Sequence, residues 1–286
     1  MTTLAENLER LEEAIARACK RAGRERSGVE LMAVSKSFPA ATIAEAAALG
    51  LTLFGENRVQ EFAAKADELA LLHQQTAEKL GFVSGRDFSR AENAAISTRA
   101  LAPEVCSAQD AISIAPIQAA GPIRVHLIGH LQSNKALRAV ELFDGIDSVD
   151  SLRLAERLNE AAGKLGKRLP ILIEVKLSPE ETKAGLEPES EEAARLLERL
   201  PELAHLETRG LMTIAPFGVA EDVTRACFRN LRRWRDRWAA AHPKLDLEVL
   251  SMGMSGDFAL AIEEGATRIR IGTALFGARS SYSERN

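Results

Sequence analysis

Short apolar strand-like runs alternate with amphipathic helical stretches along almost the whole chain, and this alternation restricts its fold more than any other feature. The strand-like runs lie at 31–36, 51–55, 125–129, 145–149, 171–177, 207–214, 247–252 and 267–272, eight in all. Between them, 40–50, 151–165, 188–200, 221–241 and 257–265 carry apolar residues three and four apart, the period of a helix with one buried face. Strands separated by crossover helices pair in parallel. Eight such units within about 250 residues predict an α/β fold, a (β/α)8 TIM barrel. An open doubly wound sheet is the alternative, but no G-x-G-x-x-G turn follows the first strand to support it.

Two additions to the barrel are expected. Leu4, Leu8, Leu11, Ile15 and Ala18 fall on one stripe of a helix over 3–23, capped by Thr2 or Thr3. Between the second and third strands the chain runs about 69 residues, from Glu56 to Arg124, far longer than a usual connection. Within it 60–80 reads as helix and about 70–121 as an insertion of mixed character. The whole, 1–286, is read as a single domain.

Composition narrows the function. Lys and Arg number 37 against 41 Asp and Glu, a net charge of −4, so no strong positive field draws nucleic acid or anionic lipid. Arg232-Arg233-Trp234-Arg235-Asp236-Arg237-Trp238 mixes base and aromatic as single-strand readers do, yet at helical spacing it reads as a solvated face with Trp packed inward. No apolar stretch approaches the roughly 20 residues that span a bilayer. The acidic start, with Glu6, Glu9, Glu12 and Glu13, fits neither a secretory nor a transit peptide. Cys19, Cys106 and Cys227 have no paired spacing, and His73, His130, His205 and His242 form no metal set with the glutamates. A soluble, cytoplasmic protein is expected, a monomer by preference.

In such a barrel the chemistry lies at the carboxyl ends of the strands, and period-two alternation tells which residues point inward. Met32, Val34 and Lys36 share the inner face of the first strand, His126 and Ile128 that of the third, Arg268 and Arg270 that of the eighth. The mouth is therefore expected to collect Lys36, His126 and Arg270. A lysine at that position is either a strand-end residue reaching for solvent or a Schiff-base lysine, its ammonium disfavoured by burial and a neighbouring cation. Lys176 is a rival on the fifth strand, but Glu174 shares its face and would pair with it. Ser251-Met252-Gly253-Met254-Ser255-Gly256 and Gly272-Thr273 follow the last two strands; they are simple turns or a phosphate cradle, and barrels often bind phosphate there. A reactive lysine, a phosphate cradle and an inward arginine together are what pyridoxal 5′-phosphate requires.

Longer motifs extend this reading. Ala33-Val34-Ser35-Lys36, Phe54-Gly55-Glu56-Asn57-Arg58-Val59-Gln60-Glu61, the run from His126 to Lys135, Arg209-Gly210-Leu211-Met212, Ser251–Ser255 and the run from Arg270 to Arg279 resemble the pyridoxal phosphate homeostasis proteins. The resemblance spans the chain apart from about 70–121. It implies a barrel like the N-terminal half of alanine racemase and a covalent aldimine (Schiff base) between pyridoxal 5′-phosphate and Lys36. Asn57 and His126 would line the pocket, Arg270 would contact the ring nitrogen, and Ser251, Met254, Ser255, Gly272 and Thr273 would hold the phosphate. Lys183 matches a further family lysine near the mouth. The implied role is to bind, buffer and deliver the cofactor to apo enzymes, with no established turnover.

The residues themselves favour a binder. Arginine does not give up its proton, so a ring nitrogen beside Arg270 stays unprotonated and the ring is a weak electron sink. Racemisation needs an acid/base on each face of the substrate α-carbon, and the one tyrosine, Tyr282, lies in the tail. An amino-acid racemase using Lys36 with another second base is the alternative, and a cofactor-free Schiff-base lyase acting on a sugar phosphate a third.

Overall fold

The structure, a computed structural model, describes residues 2–79, 122–178 and 184–277. Residues 80–121, most of the insertion expected over about 70–121, lie outside the described residues, as do Lys183 and Tyr282. Eight strands, β1 (Glu30–Val34), β2 (Leu53–Glu56), β3 (Arg124–Leu127), β4 (Gly145–Val149), β5 (Leu169–Glu174), β6 (Leu206–Met212), β7 (Val249–Ser251) and β8 (Arg268–Ile271), close into a barrel in chain order. All neighbours are parallel, and β1 completes the ring on β8 with Met32 opposite Arg270. Helices α1 (Leu4–Arg21), α2 (Ala40–Ala48), α3 (Val59–Lys79), α4 (Ala136–Leu142), α5 (Leu152–Lys164), α6 (Glu191–Arg199), α7 (Glu221–Ala241), α8 (Phe258–Glu263) and α9 (Thr273–Phe276) accompany them.

The expected (β/α)8 architecture is the observed one. Several strands stop sooner than their apolar runs: β1 ends at Val34, so Lys36 sits in the following turn, and β5 ends at Glu174 rather than in the 175–177 stretch. At these ends the backbone leaves the ladder to form the mouth, which apolar content alone does not signal. Alternation sorts the faces as expected. Ile269, Ile271, Val125 and Leu127 join the core between barrel and helices, whereas Met32, Val34, Leu53 and Ile128 form a separate cluster inside the barrel.

The N-terminal helix docks on the barrel. Thr3 and Glu6 form a capping box that satisfies two amides of the first turn, and Leu11, Ile15, Ala18 and Cys19 are buried. α1 packs against α8 and the four-residue α9, where Asn7 Nδ2 donates to Leu275 O (2.9 Å) and Arg21 pairs with Glu263 (2.7 Å). It thus covers a part of the barrel wall that so short a final helix leaves open. On α7, Trp238 is buried and Trp234 packs on the core with Arg237 stacked over it, while Arg225 and Arg229 pair with Glu263 and Glu264.

Inside the barrel, toward the amino ends of the strands, runs a polar ladder. Arg268 donates to Glu30 (2.8 Å) and to Asp147 (3.1 Å), and Asp147 meets His126 Nδ1 at 2.9 Å. Burial pushes the Asp147 carboxyl up, but His126 and Arg268 outweigh it and hold the group below the usual carboxylate range. Most barrels of this type fill the same space with branched aliphatic side chains.

Candidate functional site

Lys36 is half-buried in the turn that follows β1. The turn is held from below. Ser35 Oγ donates to Glu56 Oε1 (2.7 Å); Lys65 Nζ donates to Ser35 O (3.3 Å) and Phe38 O (3.0 Å); and Glu61 accepts from Ser37 N. Ser37 has a left-handed backbone, φ 67°, a conformation that side-chain-bearing residues adopt at a cost. Lys65 and Glu61 lie one helical turn apart on α3, and Glu56 ends β2, so two elements grip Ser35, Ser37 and Phe38, on either side of Lys36. Lys65 also pairs with Glu56 Oε1 at 2.8 Å. Glu56 Oε2 is buried without a hydrogen-bond partner among the described residues, and burial raises this carboxyl although Lys65 and Ser35 oppose it.

On its other side the turn touches the loop after β8. The Phe38 and Phe276 rings are 5.0 Å apart, so the backbone carrying Lys36 is packed against α9. The two loops read as a phosphate cradle also meet, Ala274 N donating to Ser255 Oγ (3.2 Å). The amide N–H groups of Ser255, Gly256 and Thr273 have no hydrogen-bond partner among the described residues; Gly256 has open space where a Cβ would lie. Met254 is exposed, and its amide donates to Asp257 Oδ1 (2.6 Å). Such a group of free amides suits an anion, so this part of the mouth fits the phosphate of pyridoxal 5′-phosphate.

Arg270 is buried and fixed in position. Its Nη1 donates to Ser251 O (2.7 Å) and Ser251 Oγ (2.9 Å), and Nη2 donates to Thr213 O (2.8 Å). Burial lowers its proton affinity, while Asp147, Glu174 and Asp257 work the other way. Ser251 therefore orients Arg270 as well as bordering the cradle.

A pocket of about 210 Å3 opens at the mouth on the opposite side, lined by Asn57, Ile128, Glu174, Lys176 and Ile214 among others. Asn57 is held there by close approach: a Cβ on Gly129 would lie 2.2 Å from Asn57 O. His126 is not among the pocket-lining residues. It lies deeper, beside Gly145 and bonded to Asp147. The expected Lys176–Glu174 pair is absent; Lys176 pairs with Glu187 at 3.4 Å, because Glu187 returns beside it where Val175 bridges to Leu186. Glu174 is left buried, and its carboxyl rises to about 7 through burial and Asp150, with Arg270 opposing. The neighbourhoods of Glu174, Glu56 and Lys65 had no local signal in the sequence beyond Glu56 and Glu61 lying in the motif from Phe54 to Glu61.

The family model "Alanine racemase, N-terminal domain" matches residues 7–280. A pyridoxal phosphate homeostasis protein of Pseudomonas aeruginosa is 36% identical over 279 residues, covering 98% of this chain and 97% of that one. PipY of Synechococcus elongatus, solved without pyridoxal phosphate, is 39% identical with a TM-score of 0.68 over 96% of this chain and 100% of that one; a second structure of PipY has pyridoxal phosphate bound, at 38% identity and a TM-score of 0.66 with the same coverage. An alanine racemase of Clostridium difficile shares the fold at 15% identity, with a TM-score of 0.64, over 98% of this chain but 57% of its own. The chain belongs to the pyridoxal phosphate homeostasis proteins, within the alanine racemase N-terminal domain family.

Proposed function

We propose that this protein is a cytoplasmic carrier and buffer of pyridoxal 5′-phosphate, a single-domain monomer that attaches the cofactor to Lys36 and delivers it to apo enzymes. The observation that carries the reading is the packing of the Lys36 turn, through Phe38 and Phe276, against a loop pair whose amides at Ser255, Gly256 and Thr273 have no partner among the described residues. This packing supports the Lys36 amine and the anion cradle serving one mouth. The PipY structure with pyridoxal phosphate bound supports the same ligand.

Lys36 would hold the aldehyde carbon; Ser255, Gly272 and Thr273, with Ser251 and Met254 beside them, would hold the phosphate; Arg270 would face the ring nitrogen, with Asn57 on the ring's flank and His126 beneath it, bonded to Asp147. The cofactor, when bound, supplies an electrophilic carbon that condenses with amines. Arg270 would offer a remaining N–H to the ring nitrogen without giving up the proton, its other N–H groups being held by Ser251 and Thr213. That arrangement favours storage over carbanion chemistry. His126, the alternative second base for a racemase, is tied to Asp147 inside the barrel. Among the described residues no helix is long and apolar enough to cross a membrane.

The test is spectroscopic. Purified protein given pyridoxal 5′-phosphate is expected to turn yellow and, after borohydride, to carry the label at Lys36. Lys36→Ala is expected to abolish the band, and Arg270→Ala to shift it and loosen the ligand. Unchanged spectra in both variants overturn the placement, and measurable α-proton exchange from amino acids favours the racemase.

A further inference from the structure

The mouth pocket contains a carboxyl that the cofactor reading leaves unused. Glu174 ends β5 on its inward face and exposes 5% of its surface. Its carboxyl makes no hydrogen bond or ion pair with any described residue. The carboxyl lines a cavity of about 210 Å3 and faces into it. Ile128, Leu177 and Ile214 supply apolar walls to the same cavity.

The charged groups around Glu174 come from four strand ends, and most are engaged. Arg270, from β8, donates to Ser251 and Thr213. Asp150, after β4, pairs with His130, after β3, at 3.2 Å. Lys176, after β5, pairs with Glu187. Among the described residues no cation forms an ion pair with Glu174.

We propose that this pocket is a binding subsite for an alkyl primary ammonium, the chemistry of a lysine side-chain end, with Glu174 as its counter-ion. The apolar walls take the alkyl stem and the carboxylate takes the head, the division such side chains make elsewhere. A free α-amino acid brings a carboxylate next to its ammonium, and that carboxylate meets Glu174 and Asp150 with like charge. The pocket therefore selects the side-chain amine over the α-amino acid. The assignment rests on the carrier reading in one respect: a lysine is the group on which pyridoxal phosphate enzymes hold their cofactor, so the subsite sets an acceptor amine at the mouth shared with Lys36.

Calorimetric titration of the full-length, cofactor-free protein tests this with n-butylamine, Nα-acetyl-L-lysine amide and L-alanine as probes. The two alkylamines are expected to saturate the site, alanine to bind at least about tenfold more weakly, and Glu174→Gln to weaken the alkylamines roughly tenfold to a hundredfold. At pH 7 an ammonium captures the ionised carboxyl and expels about half a proton, read from heats in two buffers of different ionisation enthalpy. That readout uses unsubstituted protein and is independent of how the variant folds. Butylamine affinity within about twofold in Glu174→Gln, absence of proton release, or alanine binding as tight as butylamine overturns the proposal. Adding pyridoxal 5′-phosphate and then borohydride to a portion of the same preparation separates the two readings: amine binding without label at Lys36 defeats the carrier reading and leaves the subsite standing.

Discussion

Replacing Glu174 with Gln keeps the shape of the side chain and removes its charge, and the consequence for stability follows from where the residue lies. Burial first, and Asp150 second, raise the carboxyl from an ordinary 4.5 to about 7, with Arg270 only partly opposing. Unfolding returns it to the ordinary value. Between those two pH values the folded protein keeps a proton that the unfolded chain has lost, so stability from this group is fully present below about pH 4.5 and is lost as pH rises through about 7. At about 1.4 kcal/mol per pH unit, the interval corresponds to about 3 kcal/mol. Gln mimics the protonated acid at every pH. Urea unfolding of both proteins is therefore expected to give similar stabilities at pH 4.5, and by pH 8 a variant more stable than the parent by up to about 3 kcal/mol. A difference that does not change between these pH values refutes the reasoning, as does a variant less stable than the parent at pH 8.

Lys65→Met removes the ammonium that holds Glu56, Ser35 O and Phe38 O; breaking so buried a pair is expected to cost about 3–5 kcal/mol in urea unfolding and to speed deuterium exchange at the amides of Ser37 and Phe38. Adding Glu56→Gln is expected to recover part of that loss, since no buried charge then remains, and a further loss would refute the clamp. Gly129→Ala places a methyl 2.2 Å from Asn57 O; retention of pyridoxal 5′-phosphate is expected to fall roughly tenfold as Asn57 is displaced, and unchanged retention in an equilibrium dialysis measurement removes Asn57 from the site.

Much of the architecture is legible along the chain because it depends on local periods. Val34 and Met32 recur at two, Leu11 and Ile15 at four, and those periods alone separate strand from helix and inner face from outer. The inward direction of Arg268 and Arg270 follows from the outward packing of Ile269 and Ile271. Partners are another matter. Glu174 and Lys176 share a strand face, yet Lys176 turns to Glu187, which only the return of the chain at Leu186 brings near. His126 reads as a mouth residue until Asp147, 21 positions later, is seen to hold it within the barrel. The grip on the Lys36 turn joins Ser35, Glu56, Glu61 and Lys65, and their common location depends on how α3 lies against the β1–α2 turn.

What the amino-acid order determined by itself is the set of elements, their parallel pairing and the face each strand turns inward, since backbone geometry and apolar periodicity act over a few residues. Which charges neutralise one another was decided only when the barrel closed. Closure brings β8 beside β1 and sets β4 and β5 across from them, and the energy of a buried charge depends on distances of a few ångströms between groups that the chain order keeps far apart. For that reason Lys36 was nameable from its strand, whereas the uncompensated carboxyl of Glu174 belongs to the tertiary structure.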